Sequence, residues 1–326
     1  MGLVEQVELR FDPASRAAQT HTNLSALRQD ETGLWVAGDE TATIEHLAWT
    51  GERYDAQRTF VLADYLRLPA GPDDEADIEG LARADGHLWA VGSHSLKRRR
   101  VKSKDPAKAA RRLATVVREE NRFILARLPL DPVTNSPLPG SILSGADNIA
   151  ARLRDDEHLA PFLALPGKDN GLDIEGIAVR GERVYLGLRG PVLRGWAVVL
   201  EARPVEAGQG RLRLREPLRK HFLDLGGLGV RDLCPYGNDL LLLTGPSMDL
   251  DGPVRVMRWR AGQDGGVVPA DELETVAELP YGIGCDHPEG MAVLDDGRLM
   301  VVYDSPSPAR TTPAGGVLAD VFPIQP

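Results

Sequence analysis

The amino-acid sequence predicts an all-β fold built from a repeated two-strand unit, and three observations support this prediction. The phrase Asp-Ile-Glu-Gly-Ile-Ala-Val at residues 173–179 returns in closely similar form at residues 77–82 and 288–293. Each copy is followed by a short polar turn and a second apolar run. The 34 glycines and 24 prolines supply the residues that many tight turns require. Because internal repetition decides the whole architecture, these repeats take priority over other patterns.

The repeat extends to five copies that align without a gap inside the two-strand core. The first apolar run of each copy contains one aligned residue: Leu27, Leu81, Ile177, Cys234 and Met291. Counting eleven positions onward from each one reaches Gly38, Gly92, Leu188, Gly245 and Val302. Successive copies are 54, 96, 57 and 57 residues apart, so one interval holds an insertion.

Further strand-like runs follow the cores and predict a β-propeller. They lie at 43–49 and 58–62 in the first unit, 196–200 and 212–215 in the third, and 254–259 and 273–279 in the fourth. Four antiparallel strands recurring about every 55 residues are typical of a propeller blade. The fifth unit has only residues 316–322, so the N-terminal strand, residues 4–11, is expected to complete that blade. The prediction is one domain over residues 1–326 with five four-stranded blades; a sixth blade in residues 130–170 is the alternative.

The long interval contains a basic, partly helical insertion at about residues 96–121, in the second blade. Residues 97–112 carry nine basic residues and one acid, Asp105. Asp105 before Pro106 predicts a helix start, because Asp caps helices and Pro suits their first turn. The insertion leaves from the exit of a second strand and is expected to form a lid, or a docking surface for an anionic ligand or a protein partner. A solvated helical excursion is the alternative. A second helical segment is predicted at about residues 148–163.

Strand order predicts where the acids of the repeat meet. In each antiparallel pair, the start of the first strand and the end of the second lie on one face of the ring. The repeat column there holds Glu79, Glu175, Asp232 and Glu289, with Ser25 in the remaining copy, and Asp77 and Asp173 lie two residues earlier. Converging carboxylates predict a divalent cation site, calcium being the expected ion, because hard cations take several oxygen ligands. The alternative is that these acids pair with arginines or accept backbone hydrogen bonds.

The loops after the second strands add candidate catalytic residues on the same face. They carry His94, Arg189 and Arg194. Arginines beside a cation-bearing acidic site suit an anionic, phosphate-like group, and a histidine can act as acid or base near neutral pH. An ordinary ion pair for each arginine and a plain loop position for His94 are the alternatives.

Composition excludes several classes of protein. The net charge of −10 argues against nucleic-acid binding, which needs a basic footprint. No run approaches 18 apolar residues, so no membrane span is expected. The first residues lack the pattern of a signal peptide, and Cys234 and Cys285 do not make a disulfide framework, so a cytoplasmic protein with reduced thiols is expected. Nucleotide-binding loops, zinc-protease motifs and nucleophile elbows are absent from the sequence.

With these motifs established, the chain resembles an uncharacterised bacterial family of expected β-propellers. The resemblance is carried by residues 77–82, 92–95 with their basic continuation, 171–176 and 188–196. The Glu-Gly-apolar-Ala phrase also resembles phytase-like and esterase-like propellers, in which acids around the channel hold calcium. This wider resemblance implies metal-dependent hydrolysis of a phosphoester or ester. The chain departs from it in lacking a secretion signal and in having Ser25 and Val230 where other copies have acids.

Two functional hypotheses follow from these patterns. The first is a metal-dependent hydrolase whose cation is held by the repeat acids and whose small anionic substrate is positioned by Arg189, Arg194 and His94. The second is a non-catalytic propeller that binds a ligand or a protein on the same face. A third hypothesis gives the acids a purely structural role in closing the channel.

Overall fold

The computed structural model of the chain describes residues 5–102, 104–260 and 266–324. Val4, at the start of the predicted N-terminal strand, and Ser103, in the predicted insertion, lie outside these ranges. Within them the protein is mainly β-structure in several sheets, as the repeats predict. No helix in the described part of the chain is both long and apolar enough to cross a membrane. We call each set of four sequentially paired antiparallel strands a group, numbered 1 to 5.

Group 1 follows a single strand and a short helix. The elements are β1 (Glu5–Arg10), α1 (Pro13–Ala17), β2 (Leu24–Asp30), β3 (Gly33–Gly38), β4 (Thr43–Trp49) and β5 (Tyr54–Val61). Strands β2 to β5 pair in chain order, each antiparallel to the next. The Asp12 side chain caps α1 by accepting a hydrogen bond from the backbone N–H of Ser15, 2.8 Å away.

Group 2 is interrupted by the basic insertion. The elements are β6 (Ile78–Ala84), β7 (His87–Gly92), β8 (Lys97–Arg98), α2 (Pro106–Ala114), β9 (Val116–Val117), β10 (Leu125–Pro129) and β11 (Ser141–Leu143). Strands β6, β7, β10 and β11 form the group, while β8 and β9 pair with each other. The predicted helix start is confirmed, because Asp105 accepts hydrogen bonds from the amides of Ala107 and Lys108. The helix covers only residues 106–114, which is shorter than the predicted insertion.

Group 3 differs from the prediction in its outer strand. The elements are α3 (Ile149–Arg152), β12 (Asp173–Arg180), β13 (Arg183–Gly190), β14 (Trp196–Ala202), β15 (Pro204–Gly208), β16 (Arg211–Leu214) and β17 (Arg219–Asp224). The predicted outer strand at 212–215 falls on β16, which pairs with β15 and β11 instead, and β17 is the outer strand. An alternating pattern marks a half-buried strand but does not say which sheet it joins. The predicted helical segment at 148–163 contains only α3 and a turn at Ala160–Phe162.

Groups 4 and 5 complete the chain. The elements are β18 (Gly229–Tyr236), β19 (Asp239–Gly245), β20 (Val254–Trp259), β21 (Val267–Val268), β22 (Leu273–Leu279), β23 (His287–Val293), β24 (Leu299–Asp304) and β25 (Gly316–Phe322). Group 4 contains β18, β19, β20 and β22. In group 5, β23, β24 and β25 are joined by β1, which pairs antiparallel with β25 from Glu5 opposite Val321 to Arg10 opposite Gly316.

Short turns of 3-10 helix connect these elements. They lie at Thr20–Thr22, Leu62–Asp64, Glu120–Arg122, Gly145–Asp147, Ala160–Phe162, Gly167–Asp169 and Ala270–Glu272.

The first strands of the groups surround a common axis. They contact one another in the order β2, β6, β12, β18, β23 and back to β2. The glycine that follows the repeat glutamate makes this approach possible: a Cβ on Gly176 would lie 2.8 Å from the Leu233 nitrogen of the next group. A Cβ on Gly80 would likewise lie 2.9 Å from the Ile177 side chain. A larger residue at either position would push neighbouring groups apart.

The apolar core lies between neighbouring groups. Five clusters of buried side chains each join two consecutive groups: 1 with 2, 2 with 3, 3 with 4, 4 with 5, and 5 with 1. Trp35, with no exposed surface, packs in the cluster between groups 1 and 2. Burial of these faces is the main apolar stabilisation of the fold, because the free energy gained follows the apolar area removed from water.

An ion pair fills the axis itself. Arg28 of β2 reaches across the ring and makes two hydrogen bonds to the carboxylate of Asp232, at 2.7 and 2.9 Å. Its guanidinium also donates to the backbone carbonyls of Ile177, Leu233 and Met291, on three other first strands. The interior is therefore closed below the face on which the first strands begin.

Candidate functional site

A β-bulge marks the same position in all five groups. Where each first strand pairs with its second, the register skips one residue on the first strand. The skipped residues are Ser25, Glu79, Glu175, Arg231 and Glu289. A bulge turns a side chain away from its regular direction, and we call these five the bulge residues. The repeat therefore places one bulge residue from each group near the face of the ring on which the first strands begin, and we call the opening on this face the mouth of the ring.

The register corrects the predicted column in group 4. Asp232 pairs with Leu243, so Arg231, and not Asp232, is the bulge residue there. The run of four leucines at 240–243 is apolar throughout and fits either register, which explains the one-residue error in the alignment. The carboxylate of Asp232 instead accepts hydrogen bonds from Arg28 and from the amides of Leu233 and Met291. The carboxylate of Asp232 therefore belongs to the ion pair at the axis.

Group 5 also departs from the ungapped alignment. Leu27 pairs with Val36, nine positions later, whereas Met291 pairs with Val301, ten positions later. The turn between β23 and β24 is therefore one residue longer than its counterpart in group 1. Glu289 keeps its place as a bulge residue because the extra residue lies beyond it.

Three of the bulge residues, Glu79, Glu175 and Glu289, line a cavity of about 490 Å³. One part of its wall is acidic and comes from the mouth of the ring: Asp39, Glu40, Asp77, Glu79, Asp173, Glu175, Asp249, Glu289 and Asp304. Another part comes from the basic insertion, and we call its described residues, 96–102 and 104–117, the strap. A cavity of this size lies within the ordinary range for small-molecule sites.

Arg189 neutralises two of the predicted ligands. Its guanidinium lies 2.6 Å from Asp173 and 2.5 Å from Glu175, and all three side chains are buried. Burial still raises the pKa of Glu175 to about 8, because Arg189 and Arg231 oppose that effect only in part. The alternative interpretation of the sequence, acids paired with arginines, therefore describes group 3.

Arg231 and Arg122 neutralise two more. Arg231 forms an ion pair with Glu289, and the same nitrogen lies 3.8 Å from Glu175. Arg122, which follows the strap, forms an ion pair with Asp77 and lies 3.2 Å from Glu119. Arg231 is thus a bulge residue that supplies a cation to the bulge acids of both neighbouring groups.

Glu79 differs from the other bulge acids. It lines the cavity and is only 9% exposed, and its side chain has no hydrogen bond or ion pair with any described residue. Burial, and then repulsion from Asp77 and Glu175, raises the pKa of Glu79 well above its ordinary value. A buried carboxyl without a partner carries a desolvation cost that a ligand would relieve.

Two further carboxylates converge on Glu79. One oxygen each of Asp39, Asp77 and Glu79 lie within 4.8 Å of one another, and we call these three residues the carboxylate cluster. Oδ1 of Asp39 is buried without a hydrogen-bond partner in the described chain. Burial, reinforced by Asp77 and Asp304, raises the pKa of Asp39 to about 8. The cluster therefore brings carboxyl oxygens close together, and two of its members, Asp39 and Glu79, have no basic partner among the described residues. A hard divalent cation would stabilise the ionised form of such a group of carboxyls.

Two predicted catalytic residues lie outside this cavity. His94 is buried beside the edge of the Phe123 ring, with its Nδ1 2.9 Å from the Gly92 carbonyl oxygen. Burial lowers the pKa of His94 to about 4, so the ring is neutral near pH 7. Arg194 is exposed, and neither residue is among those that line the cavity. Arg189 does line it, although both of its charged contacts are to protein carboxylates.

Several site residues were not assigned from sequence. Asp39 follows the second strand of group 1, and its place in an exit loop was the one available signal. Arg122 precedes β10 and ends a long insertion, so its distance of 45 positions from Asp77 hid the contact. Arg231 was missed because the sequence alignment of group 4 was shifted by one residue.

Comparisons with solved structures gave remote likenesses. Glutaminyl cyclase of Myxococcus xanthus is 9% identical over 99% of this chain and 97% of its own, with a TM-score of 0.47. The PQQ-bound aldose sugar dehydrogenase of Streptomyces coelicolor is 11% identical over 98% and 99%, with a TM-score of 0.42. The WD40 β-propeller domain of Doa1 is 9% identical over 98% and 97%, with a TM-score of 0.38. Likenesses this remote carry no argument about activity.

Sequence comparison identifies a family. No curated protein matches the chain. One family model, described as "Protein of unknown function (DUF3616)", matches residues 23–320, which include all five bulge residues and the carboxylate cluster. This chain therefore belongs to the DUF3616 family.

Proposed function

We propose that this protein binds a divalent cation, calcium being the best fit, at Asp39, Asp77 and Glu79, and hydrolyses a phosphoester or ester in the adjoining cavity. One observation carries the proposal. Glu175 and Glu289 each have an arginine partner, whereas Glu79 is buried, faces the cavity and has none among the described residues. Oxygen-only ligands favour calcium, magnesium or manganese over softer metals.

The residues of the chain fit such an ion. Arg122 holds one oxygen of Asp77, so the carboxylate keeps a fixed orientation beside Glu79. Asp304, whose pKa is raised to about 6 by burial and by Glu289, lies in the same cavity wall. When bound, a divalent cation polarises a phosphoryl or carbonyl oxygen and lowers the pKa of a bound water. Arg189 forms ion pairs with Asp173 and Glu175, whereas Asp39 and Glu79 of the cluster have no basic partner among the described residues.

The architecture that supports this site is a propeller of five blades. Each group forms one blade, and the N-terminal strand β1 completes the fifth. Two observations support this interpretation: the first strands contact one another around a closed cycle, and five apolar clusters occupy the five interfaces. Residues 130–170 supply one strand, β11, to group 2, which disfavours a sixth blade there.

A second candidate function is non-catalytic binding on the same face. The favouring observation is that no histidine lines the cavity within the described ranges, and that the predicted acid–base residue His94 is buried away from it. A binding protein would use the cation and the strap to hold its ligand without converting it to a product.

The experiment is a metal titration of the purified protein. We expect elemental analysis to find a divalent ion, and added calcium to raise the Tm of EDTA-treated protein. Glu79→Gln should abolish that increase. Glu52→Gln is the control, because it removes the same charge from a side chain that is 87% exposed and lies outside the cavity lining. A wild-type Tm that is unchanged by calcium, magnesium and manganese, with no ion present, would contradict the proposal.

Activity separates the two candidates. The cation-loaded protein is assayed with p-nitrophenyl phosphate and p-nitrophenyl acetate, and hydrolysis that Glu79→Gln removes supports the enzyme. Cation binding without turnover of either compound supports the binding protein.

A further inference from the structure

The strap and the loop before β12 present basic side chains to the cavity. Arg99, Arg100 and Lys102 of the strap, and Lys168 of the neighbouring loop, line the cavity. None of these four side chains has a hydrogen bond or ion pair with any described residue. Arginine and lysine are the side chains that bind phosphate-type oxyanions, arginine through two parallel hydrogen bonds.

Other basic residues of the strap hold it in place. Nζ of Lys97 lies 2.7 Å from Glu75, and Nη2 of Arg98 lies 2.6 Å from Asp169. The carbonyl of Leu96 accepts a hydrogen bond from the Gly167 amide at 3.0 Å. The strap is thus fastened both to the segment before β6 and to the loop before β12. These contacts fix the unpaired cations against the cavity.

Apolar packing contributes little to this position. Helix α2 (Pro106–Ala114) is about two and a half turns long, yet none of its residues is buried. A segment that buries so little is retained by its polar contacts. The basic residues of the strap are therefore better explained by a role at the cavity than by a role in stabilising the core.

The cavity thus has two walls of opposite charge. The cluster, when its carboxyls are ionised, repels a bare anion, and the strap repels a bare cation. A ligand that satisfies both walls carries a cation on one side and oxyanion oxygens on the other. We propose that the strap is an oxyanion subsite and that the ligand is a phosphate-type oxyanion complexed to the divalent cation. This inference rests on the proposed function for its cation and adds the chemical class of the ligand.

The test is a binding titration with pyrophosphate as the probe, on the full chain with calcium and after EDTA treatment. We expect the triple variant Arg99→Ala, Arg100→Ala, Lys102→Ala to lose about 10-fold or more in affinity, since charge-assisted hydrogen bonds to phosphate are lost. The matched control is Lys104→Ala, Lys108→Ala, Arg111→Ala, which removes three charges from the same strap at positions outside the cavity lining. We expect the control to change affinity by less than about 3-fold, as a long-range charge effect.

Several results would overturn the inference. Equal losses in the two triple variants would show a general charge effect, and no loss in the first would show that the strap does not bind the anion. Citrate binding as tight as pyrophosphate would reject the phosphate class.

The calcium-induced Tm shift, measured in the same variants, separates this inference from the proposed function. If calcium raises the Tm normally but the wild-type protein does not bind pyrophosphate, the strap subsite is refuted and the cation site is not. If calcium does not raise the Tm of the wild type, but the EDTA-treated protein still binds pyrophosphate in a way that depends on the strap, the cation site is refuted and the strap subsite is supported.

Discussion

Arg28 and Asp232 form a two-point ion pair at the axis of the ring, although 204 positions separate them in the chain. Asp232 has no exposed surface, and its carboxylate receives two bonds from Arg28 and two from backbone amides. Arg28 in turn satisfies carbonyls on three other first strands, Ile177, Leu233 and Met291. One side chain therefore links four of the five groups at the centre.

Removing one partner of this pair should destabilise the protein strongly. Asp232→Ala leaves a buried guanidinium without its counter-charge, and we expect the free energy of unfolding to fall by about 3–5 kcal/mol. Chemical denaturation measures the change. The double variant Arg28→Met, Asp232→Leu removes both charges and should recover part of the loss. A single-variant effect below about 1 kcal/mol would show that the axis tolerates an unpaired arginine.

Glu45 should make the protein less stable as pH rises. Its side chain has no exposed surface, and one oxygen lacks a partner in the described chain. Burial raises the pKa of Glu45 from 4.5 to about 7, against a hydrogen bond from Thr43 that lowers it. A carboxyl whose pKa is raised by folding stabilises the native state below pH 4.5, and that contribution is lost as pH rises to about 7.

The variant Glu45→Gln removes this titration. Relative to the wild type, we expect it to gain about 2–4 kcal/mol of stability between pH 4.5 and pH 8. Glu52→Gln is the control, because its side chain is 87% exposed and should change little at any pH. A wild-type-to-variant difference that stays constant across this range would refute the buried titration.

Arg189 should matter more for stability than its exposed neighbour Arg194. Arg189→Met leaves the buried Asp173 without its ion-pair partner and Glu175 with only Arg231, 3.8 Å away, so we expect a loss of about 3–5 kcal/mol at pH 8. The loss should shrink at pH 5, because these carboxyls then take up protons more readily. Arg194→Met is the control and should stay within about 0.5 kcal/mol. Equal effects of the two substitutions, measured by urea unfolding, would show that the ion pairs of Arg189 do not stabilise the fold.

Strand β1 should be required for the last group. Its Leu9 is fully buried, and its backbone pairs with β25 along six residues. Leu9→Asp places a charge in the cluster between groups 5 and 1, and we expect a loss above about 3 kcal/mol. Glu5→Gln in the same strand is exposed and should be nearly neutral. A Leu9→Asp protein with wild-type Tm would show that β1 is dispensable.

The sequence predicts the repeated features of this fold better than its exceptions. Glu79, Glu175 and Glu289 were located because a glycine follows each of them in a repeated phrase. The apolar run at 240–243 contains no alternation, so Arg231 and Asp232 could not be told apart by register. Arg28 could not be matched with Asp232, since no local pattern specifies a contact across the axis.

The site shows the same division. The converging carboxylates follow from strand order, which the repeat supplies. The pairing of Arg231 with Glu289 depends on side-chain directions that bulges set locally, and the pairing of Arg122 with Asp77 depends on the path of the long insertion. The outer strand of group 3 was misplaced because β16, with its alternating residues, resembles β17 in pattern but joins another sheet.

Pairing of β1 with β25 sets an order of events during synthesis. Gln6 and Asp320, joined by a side-chain hydrogen bond, are 314 positions apart. At about 5–20 residues per second, the ribosome would leave β1 without its partner for roughly 15–60 s. During that time Val7 and Leu9 have no apolar surface from β25 to cover them. We therefore expect the ring to close only after translation, with the N-terminal segment a target for holding chaperones until then.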